Sequence, residues 1–159
     1  MIVRTEPGDR GSGSDACPCG GPGSYSTCCE RFHRGQEPAD AAALVRARFA
    51  AYARGRTDFL ARTLHRDHAD RALPARELRA RLERAVARTR FRSLEILDAD
   101  GPDRDGVYRV LFRVLAAHAG RDASFVELSS FAKDGGLRYV AGRIFPASMR
   151  QRSIAELDR

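Results

Sequence analysis

Residues 108–116 read Tyr-Arg-Val-Leu-Phe-Arg-Val-Leu-Ala, and this stretch decides the fold class. Every second residue from Tyr108 to Ala116 is apolar or aromatic, and arginines at positions 109 and 113 lie between them. Successive side chains of a strand point to opposite faces, so a period of two predicts a strand with one buried face.

Three further runs with this period surround the stretch, at residues 91–97, 124–132 and 137–145. Asp134, Gly135 and Gly136 separate the last two runs and form a hairpin-turn signal. Because the runs follow one another along the chain, we expect an antiparallel sheet of about four strands.

The part of the chain before residue 90 has the period of helices. Apolar residues recur at helical spacing from Ala41 to Tyr52, with Asp40 placed as the N-cap and Gly55 as the C-terminal cap. A second and a third helix are expected over residues 58–65 and 75–88, the second capped by Thr57. Three helices followed by hairpin-connected strands predict an α+β fold.

Composition restricts the class of protein. The chain has 159 residues, of which 43% are hydrophobic, enough for one main domain and a short appendage. We find no apolar run of the roughly 20 residues that a membrane span needs, and the polar, glycine-rich segment 1–15 lacks the apolar core of a signal peptide. We therefore expect a cytoplasmic protein without a membrane partner, and a disordered tail at residues 1–15.

The formal net charge is +7, and all but one of the 28 basic residues are arginine. Six arginines near the third predicted helix fall mostly off its apolar stripe: Arg76, Arg79, Arg81, Arg84, Arg88 and Arg90. This placement is typical of a solvated helix face. Since no aromatic side chains are interleaved to stack on bases, we do not expect nucleic acid as a partner.

Four cysteines lie within thirteen residues, at Cys17, Cys19, Cys28 and Cys29. Disulfides are rare in reducing cytosol, so this clustering is better explained by a metal ion than by cross-linking. Four thiolates suit tetrahedral zinc, and the glycines between the two pairs permit the loop to turn back.

Other interpretations of these residues stay open at this point. Copper(I) also prefers thiolates, and an adjacent-cysteine disulfide is an alternative for Cys28 and Cys29. His33 is a candidate replacement ligand, and His65 with Asp67 and His68 is a weaker candidate for a second metal site.

The segment Cys17-Pro18-Cys19-Gly20, followed by an aromatic residue and Cys28-Cys29, resembles the SEC-C motif, the zinc knuckle of the export motor SecA. Residues 28–35, 43–52 and 58–65 resemble the YchJ-like family of bacterial proteins. Glu127, Ser129, Phe131 and Asp134 lie where that family has a Glu-x-Ser-x-Phe strand and the following turn.

The resemblance implies a nuclear-transport-factor-2-like (NTF2-like) domain, a cone of helices against a curved antiparallel sheet. It implies structural zinc in a knuckle at residues 16–37, the cone at residues 38–146 and a C-terminal tail at residues 147–159. By analogy with SEC-C tails, it also implies a protein partner such as a chaperone or the ribosome.

Four residues form a candidate pocket inside the cone: Arg48, Tyr52, Glu127 and Ser129. Arg48 lies at helical spacing within an apolar stripe, and Glu127 lies between Phe125 and Ser129 on one face of its strand. A buried arginine needs a partner, and a carboxylate is a natural one, so we expect a structural Arg48–Glu127 ion pair.

Two classes of function remain. The sequence favours a zinc-binding adaptor module with protein partners, and the alternative is a small enzyme or small-molecule-binding protein that uses the cone around Arg48 and Glu127. No phosphate-loop, dinucleotide or serine-hydrolase signature is present, and no histidine has a nucleophile beside it, so we assign no catalytic residue.

Overall fold

The computed structural model describes residues 15–159, so the predicted disordered segment lies outside the described residues except for Asp15. The helices come first along the chain and the strands follow. The helices are α1 (Glu30–His33), α2 (Ala41–Arg54), α3 (Thr57–Arg62), α4 (Ala75–Arg88) and α5 (Ile154–Leu157), with single 3-10 turns at Tyr25–Thr27 and Ala69–Ala72. The strands are β1 (Thr89–Asp100), β2 (Tyr108–His118), β3 (Arg121–Asp122), β4 (Phe125–Lys133) and β5 (Leu137–Pro146).

The strands form one antiparallel sheet in the order β1-β2-β4-β5, and the two-residue β3 pairs with β2. This sheet confirms the predicted α+β class with consecutive hairpin strands. Register shifts interrupt β1 at two places and the β4–β5 pair at one, and such bulges bend a sheet. Strand β3 was not predicted because two residues are too few to show a period.

Helix α2 has the bounds that its caps predict. The Asp40 side chain accepts a hydrogen bond from the Ala43 N–H at 2.7 Å, and Gly55 ends the helix in the left-handed region at φ 72°. The side chains of Leu44, Val45 and Phe49 are buried, and those of Val45 and Phe49 line the space between α2 and the sheet.

Helix α3 differs from the prediction at both ends. Thr57 is its first residue and does not cap it, and the helix ends at Arg62. It stops there because the next residues pair with strand β5: the Tyr139 N–H donates to the Thr63 carbonyl at 2.8 Å, and the His65 N–H donates to the Tyr139 carbonyl at 2.8 Å.

One core runs from the cysteine segment through α2 and α3 to the inner face of the sheet. Cys19, Leu44, Phe59, Val110 and Phe131 are all buried in this single cluster. The predicted boundary between residues 16–37 and 38–146 is therefore not a gap between two cores. Among the helices described from residue 15 onward, none has the length and apolar character that a membrane span requires.

The segment expected to be a tail, residues 147–159, packs on the outer face of the sheet. Ile154 is buried there with Leu111 and Val126 in a second apolar cluster. Its N–H donates to the Asp98 carboxylate at 2.8 Å, and Ser153 begins α5 with a capping box. Leu111 lies on the face predicted to be polar, and it is buried because α5 covers it.

We predict that Ile154→Ala lowers the free energy of unfolding by about 2–5 kcal/mol, because it leaves a cavity in the outer cluster. Ile144→Ala is the matched control, since Ile144 is 60% exposed and Ile154 only 1%. Urea unfolding followed by circular dichroism measures both. Equal, small effects of the two substitutions would show that α5 is not docked in solution.

Candidate metal centre and ligand cavity

The sulfur atoms of the four cysteines converge on one point. The Sγ atoms of Cys17, Cys19, Cys28 and Cys29 all lie within 4.8 Å of one another. Those of Cys19 and Cys28 are 3.5 Å apart, and those of Cys28 and Cys29 are 3.9 Å apart. Tetrahedral zinc with Zn–S bonds of about 2.3 Å places its sulfurs about 3.8 Å apart, so the cluster fits such an ion closely.

The backbone of the glycine loop lies close to two of these sulfurs. Gly20 adopts a left-handed conformation at φ 79°, and the Gly21 N–H donates to the Cys19 Sγ at 3.3 Å. A Cβ atom on Gly21 would lie 3.1 Å from the Cys28 Sγ and 3.2 Å from the Cys19 Sγ. The loop therefore approaches the sulfurs more closely than a larger residue at position 21 would comfortably allow.

The four thiols are free, so the disulfide alternative for Cys28 and Cys29 is wrong for this structure. A hydrogen bond with Cys29 is the main cause that lowers the pKa of Cys19 to about 5. Burial raises the pKa of Cys28 to about 11, and the hydrogen bond with Cys19 raises that of Cys29. A thiolate at Cys19 is thus stabilised by its neighbours' protons, which a metal ion displaces when it binds.

His33 was a candidate ligand, but the cluster does not include it. It is buried, its Nδ1 lies 2.7 Å from the Tyr25 hydroxyl, and its Nε2 lies 2.8 Å from the Ala47 carbonyl oxygen. Both contacts are satisfied when neutral His33 donates from Nε2 to Ala47 and accepts at Nδ1 from Tyr25. The imidazole therefore joins the cysteine segment to α2.

Two arginines add to this junction. Arg46 of α2 donates to the Cys19 carbonyl at 3.3 Å. Arg62 of α3 donates to the Phe32 and His33 carbonyls, both at 2.9 Å, at the C-terminal end of α1. The metal centre is therefore fastened to the two helices that form one wall of the cone.

A cavity of about 370 Å³ lies between α2 and the inner face of the sheet. All four predicted pocket residues line it: Arg48, Tyr52, Glu127 and Ser129. Most of the remaining wall is aromatic or aliphatic, including Phe91, Phe112, Phe125 and Phe131. His118 also lines the cavity and is exposed, so the opening to solvent lies on that side.

Glu127 is held at one of its two oxygens. Its Oε1 accepts hydrogen bonds from the Ser129 hydroxyl at 2.7 Å and from the Tyr139 hydroxyl at 2.8 Å. Burial, followed by the nearby Glu127, raises the pKa of Tyr139, so this hydroxyl keeps its proton at neutral pH. Gly142 makes room for the hydrogen-bonded pair, since a Cβ there would overlap both Glu127 Oε1 and the Tyr139 hydroxyl.

The predicted Arg48–Glu127 ion pair is not formed between the described residues. Arg48 instead donates to the Leu60 carbonyl at 3.0 Å and to the Thr63 hydroxyl at 2.6 Å. Its guanidinium lies 4.8 Å from the centre of the Tyr139 ring. Tyr139 thus contacts both charged residues, Arg48 through its ring and Glu127 through its hydroxyl, and separates them.

Sequence reasoning missed Tyr139 and Gly142. Tyr139 follows Leu137 by two positions in β5, so the period of two places both side chains on the inner face. This spacing could have identified Tyr139 as a cavity residue. Nothing in the pattern indicates Gly142, because its role depends on the Glu127 side chain that crosses from the neighbouring strand.

The other candidate sites do not assemble. Within residues 15–159, no metal-binding group contains His65, Asp67 or His68. The Nδ1 atoms of the two histidines accept hydrogen bonds from the backbone of Asp67 and Asp70, at 3.1 and 3.0 Å. The six arginines assigned to a solvated face are all exposed.

A cysteine knuckle docked on a cone of helices and antiparallel strands defines the class as SEC-C motif proteins with an NTF2-like domain. Residues 40–142 match the family model described as YchJ, middle NTF2-like domain. That match covers more than half of the chain, and the protein belongs to this family.

Similar proteins agree with this assignment. A UPF0225 protein of Cupriavidus metallidurans is 48% identical over 62 residues, which are 38% of this chain and 43% of that protein. The match therefore spans less than half of the relative's length. A SEC-C motif containing protein from Rhodopseudomonas palustris, solved in solution, is 26% identical with a TM-score of 0.65 over 80% of this chain and 96% of that one.

A crystal structure of a SEC-C motif containing protein from Psychrobacter arcticus shares the fold. Its TM-score is 0.64 and its identity 18%, over 85% of this chain and 82% of that one.

The buried imidazole of His33 generates a pH prediction. Burial lowers its pKa below the ordinary value near 6.5. At a pH between the folded and the unfolded pKa, His33 is protonated in the unfolded chain and neutral in the folded protein. The stability that is present above about pH 6.5 is therefore lost as the pH falls toward the folded pKa. His33→Gln should reduce this pH dependence by up to about 1.4 kcal/mol per pH unit.

Urea unfolding between pH 7.5 and 5.5 measures the effect. Exposed His118, changed to Gln, is the control, and both variants keep all four cysteines. An unchanged pH slope in His33→Gln would contradict the neutral, buried assignment.

Proposed function

We propose that this protein binds a small molecule inside the cone and that the knuckle holds one structural zinc ion. The observation that carries the proposal is the cavity of about 370 Å³, lined by aromatic rings and a few polar groups. Ligand sites of proteins commonly have this character, with volumes of about 300–1,000 Å³ and few, well-placed polar side chains.

The zinc ion would be held by Cys17, Cys19, Cys28 and Cys29. Four protein ligands close the coordination sphere of zinc, so the ion supplies a cross-link and leaves no position for a substrate. The close sulfur spacing and the N–H of Gly21 directed at Cys19 support this assignment. The contacts of Cys19 and His33 with α2 mean that the cross-link would also stabilise the wall of the cavity.

The adaptor function with a chaperone or ribosomal partner stays a prediction from the SEC-C resemblance. The cavity favours ligand binding over that function on physical grounds. Space left inside a core lowers stability in proportion to its volume, and a purely structural scaffold gains nothing from it. In a protein that binds a ligand in this space, the binding function explains why the loss of stability is tolerated.

We predict about one equivalent of zinc per chain after purification without added metal, measured by elemental analysis. Chelation should lower the midpoint of the main thermal transition, because the knuckle shares its core with α2 and α3. Cys19→Ser should reproduce this loss, and Ser26→Ala, exposed in the same loop, should not.

Two results would contradict the zinc proposal. One is less than about half an equivalent of zinc with intact thiols, or copper in its place. The other is a main transition that stays unchanged after chelation, which would make the knuckle independent of the cone.

We predict that the neutral probe 2-(2-naphthyl)ethanol binds in the cavity, followed by its own fluorescence in a chain that contains no tryptophan. Ala123→Phe should weaken binding at least about tenfold, because Ala123 lines the cavity and a ring there fills it. Ala141→Phe is the matched control on the opposite face of the sheet, where the residue is exposed. No binding of naphthyl probes to the wild type at millimolar concentration would refute the ligand function.

A further inference from the structure

Arg48 and Glu127 are the two charged side chains that line the cavity, and among the described residues Glu127 has no ion-pair partner. Strand register places Phe112 and Ile144 on either side of Glu127, and Phe125 precedes it on the same face. A carboxylate among apolar neighbours is costly unless a positive group or several donors compensate it.

The hydrogen-bond donors that stabilise the Glu127 carboxylate reach only one of its two oxygens. Both donors, the hydroxyls of Ser129 and Tyr139, use Oε1 of Glu127. Among the described residues, no hydrogen bond uses Oε2. The two donors fix the orientation of the carboxyl group, so a ligand would not have to order it on binding.

Arg48 does not neutralise this charge. Its Nη1 donates to the Leu60 carbonyl and to the Thr63 hydroxyl, and its guanidinium packs on the Tyr139 ring. It is 8% exposed and held in place by these three contacts. An anionic ligand would be repelled by the Glu127 carboxylate, which lines the same cavity.

The aromatic wall favours a cation as well. Phe91 contacts Phe49 and Tyr52, with ring centres 6.0 and 5.1 Å apart, and Phe131 packs on Tyr139 at 5.8 Å. The faces of such rings carry negative partial charge and attract ammonium groups, most strongly where water is excluded. A carboxylate beside aromatic rings therefore selects a positive ligand head with an apolar body.

We propose that the cavity binds a protonated primary or secondary amine on an aromatic or aliphatic frame, with the ammonium group at Glu127 Oε2. The inference rests on the proposed ligand function and names its ligand class. The frame lies against the phenylalanine rings, and Ser129 and Tyr139 position the carboxylate.

Three probes on one frame test the proposal: 2-(2-naphthyl)ethylamine, 2-(2-naphthyl)ethanol and 2-naphthylacetic acid. They share the naphthyl body and differ in the charge of the head, which is positive, neutral or negative at pH 7. Titrations use the whole chain of 159 residues as purified. We expect the amine to bind wild type at least about tenfold more tightly than the alcohol, as charge-assisted hydrogen bonds to a preoriented carboxylate predict.

Glu127→Gln should remove this preference while leaving the alcohol's affinity within about twofold, because the amide oxygen can still accept from Ser129 and Tyr139. Glu83→Gln, an exposed carboxyl on α4, is the matched control and should keep the preference. Retained binding of the alcohol also shows that the Glu127→Gln variant is folded with an intact cavity.

Equal affinity of wild type for the amine and the alcohol would overturn the amine assignment and leave the ligand function standing. The same holds if Glu127→Gln keeps the full preference, because the amine would then bind elsewhere. Tightest binding of the acid would also overturn it and would identify Arg48 as the anchoring charge. Failure of all three probes would refute the proposed function itself.

Discussion

The helical layer is joined to the sheet by two backbone hydrogen bonds at Tyr139. Its N–H and carbonyl pair with Thr63 and His65, and this pairing both ends α3 and covers part of the edge of β5. An uncovered edge strand exposes backbone groups to other chains, so the pairing protects the sheet there. With its backbone fixed in this way, the Tyr139 ring supports Arg48 and its hydroxyl orients Glu127.

Helix α2 connects the metal centre and the cavity. Arg46 bonds the carbonyl of Cys19, the Ala47 carbonyl contacts His33, and Arg48 lines the cavity, all within one turn of the helix. A displacement of the knuckle would therefore shift the wall of the cavity, since the knuckle and α2 are packed together in one core. The two candidate sites are parts of one structural unit.

Much of the fold was predictable because it follows from local periodicity and caps. Asp40 and Gly55 fixed α2, and the period of two fixed four strands and their inner faces. The burial of Leu111 was not predictable from its strand, because α5, which covers it, comes more than forty residues later in the chain.

The contents of the cavity show where periodicity stops being informative. It placed Arg48 and Glu127 on facing layers, but a facing position does not identify a partner. Arg48 Nη1 instead donates to the Leu60 carbonyl and the Thr63 hydroxyl, and the Tyr139 hydroxyl donates to Glu127. These contacts depend on side-chain reach across strands, and a single sequence contains no measure of that distance.

The close approach of Glu127 to Gly142 links two positions fifteen residues apart. A methyl group at position 142 would overlap both the Glu127 carboxyl oxygen and the Tyr139 hydroxyl, so a shorter side chain at position 127 alone would not make room for it. A larger residue at position 142 is therefore compatible with this cavity only if the side chains at positions 127 and 139 both change, and we expect the three positions to be inherited together.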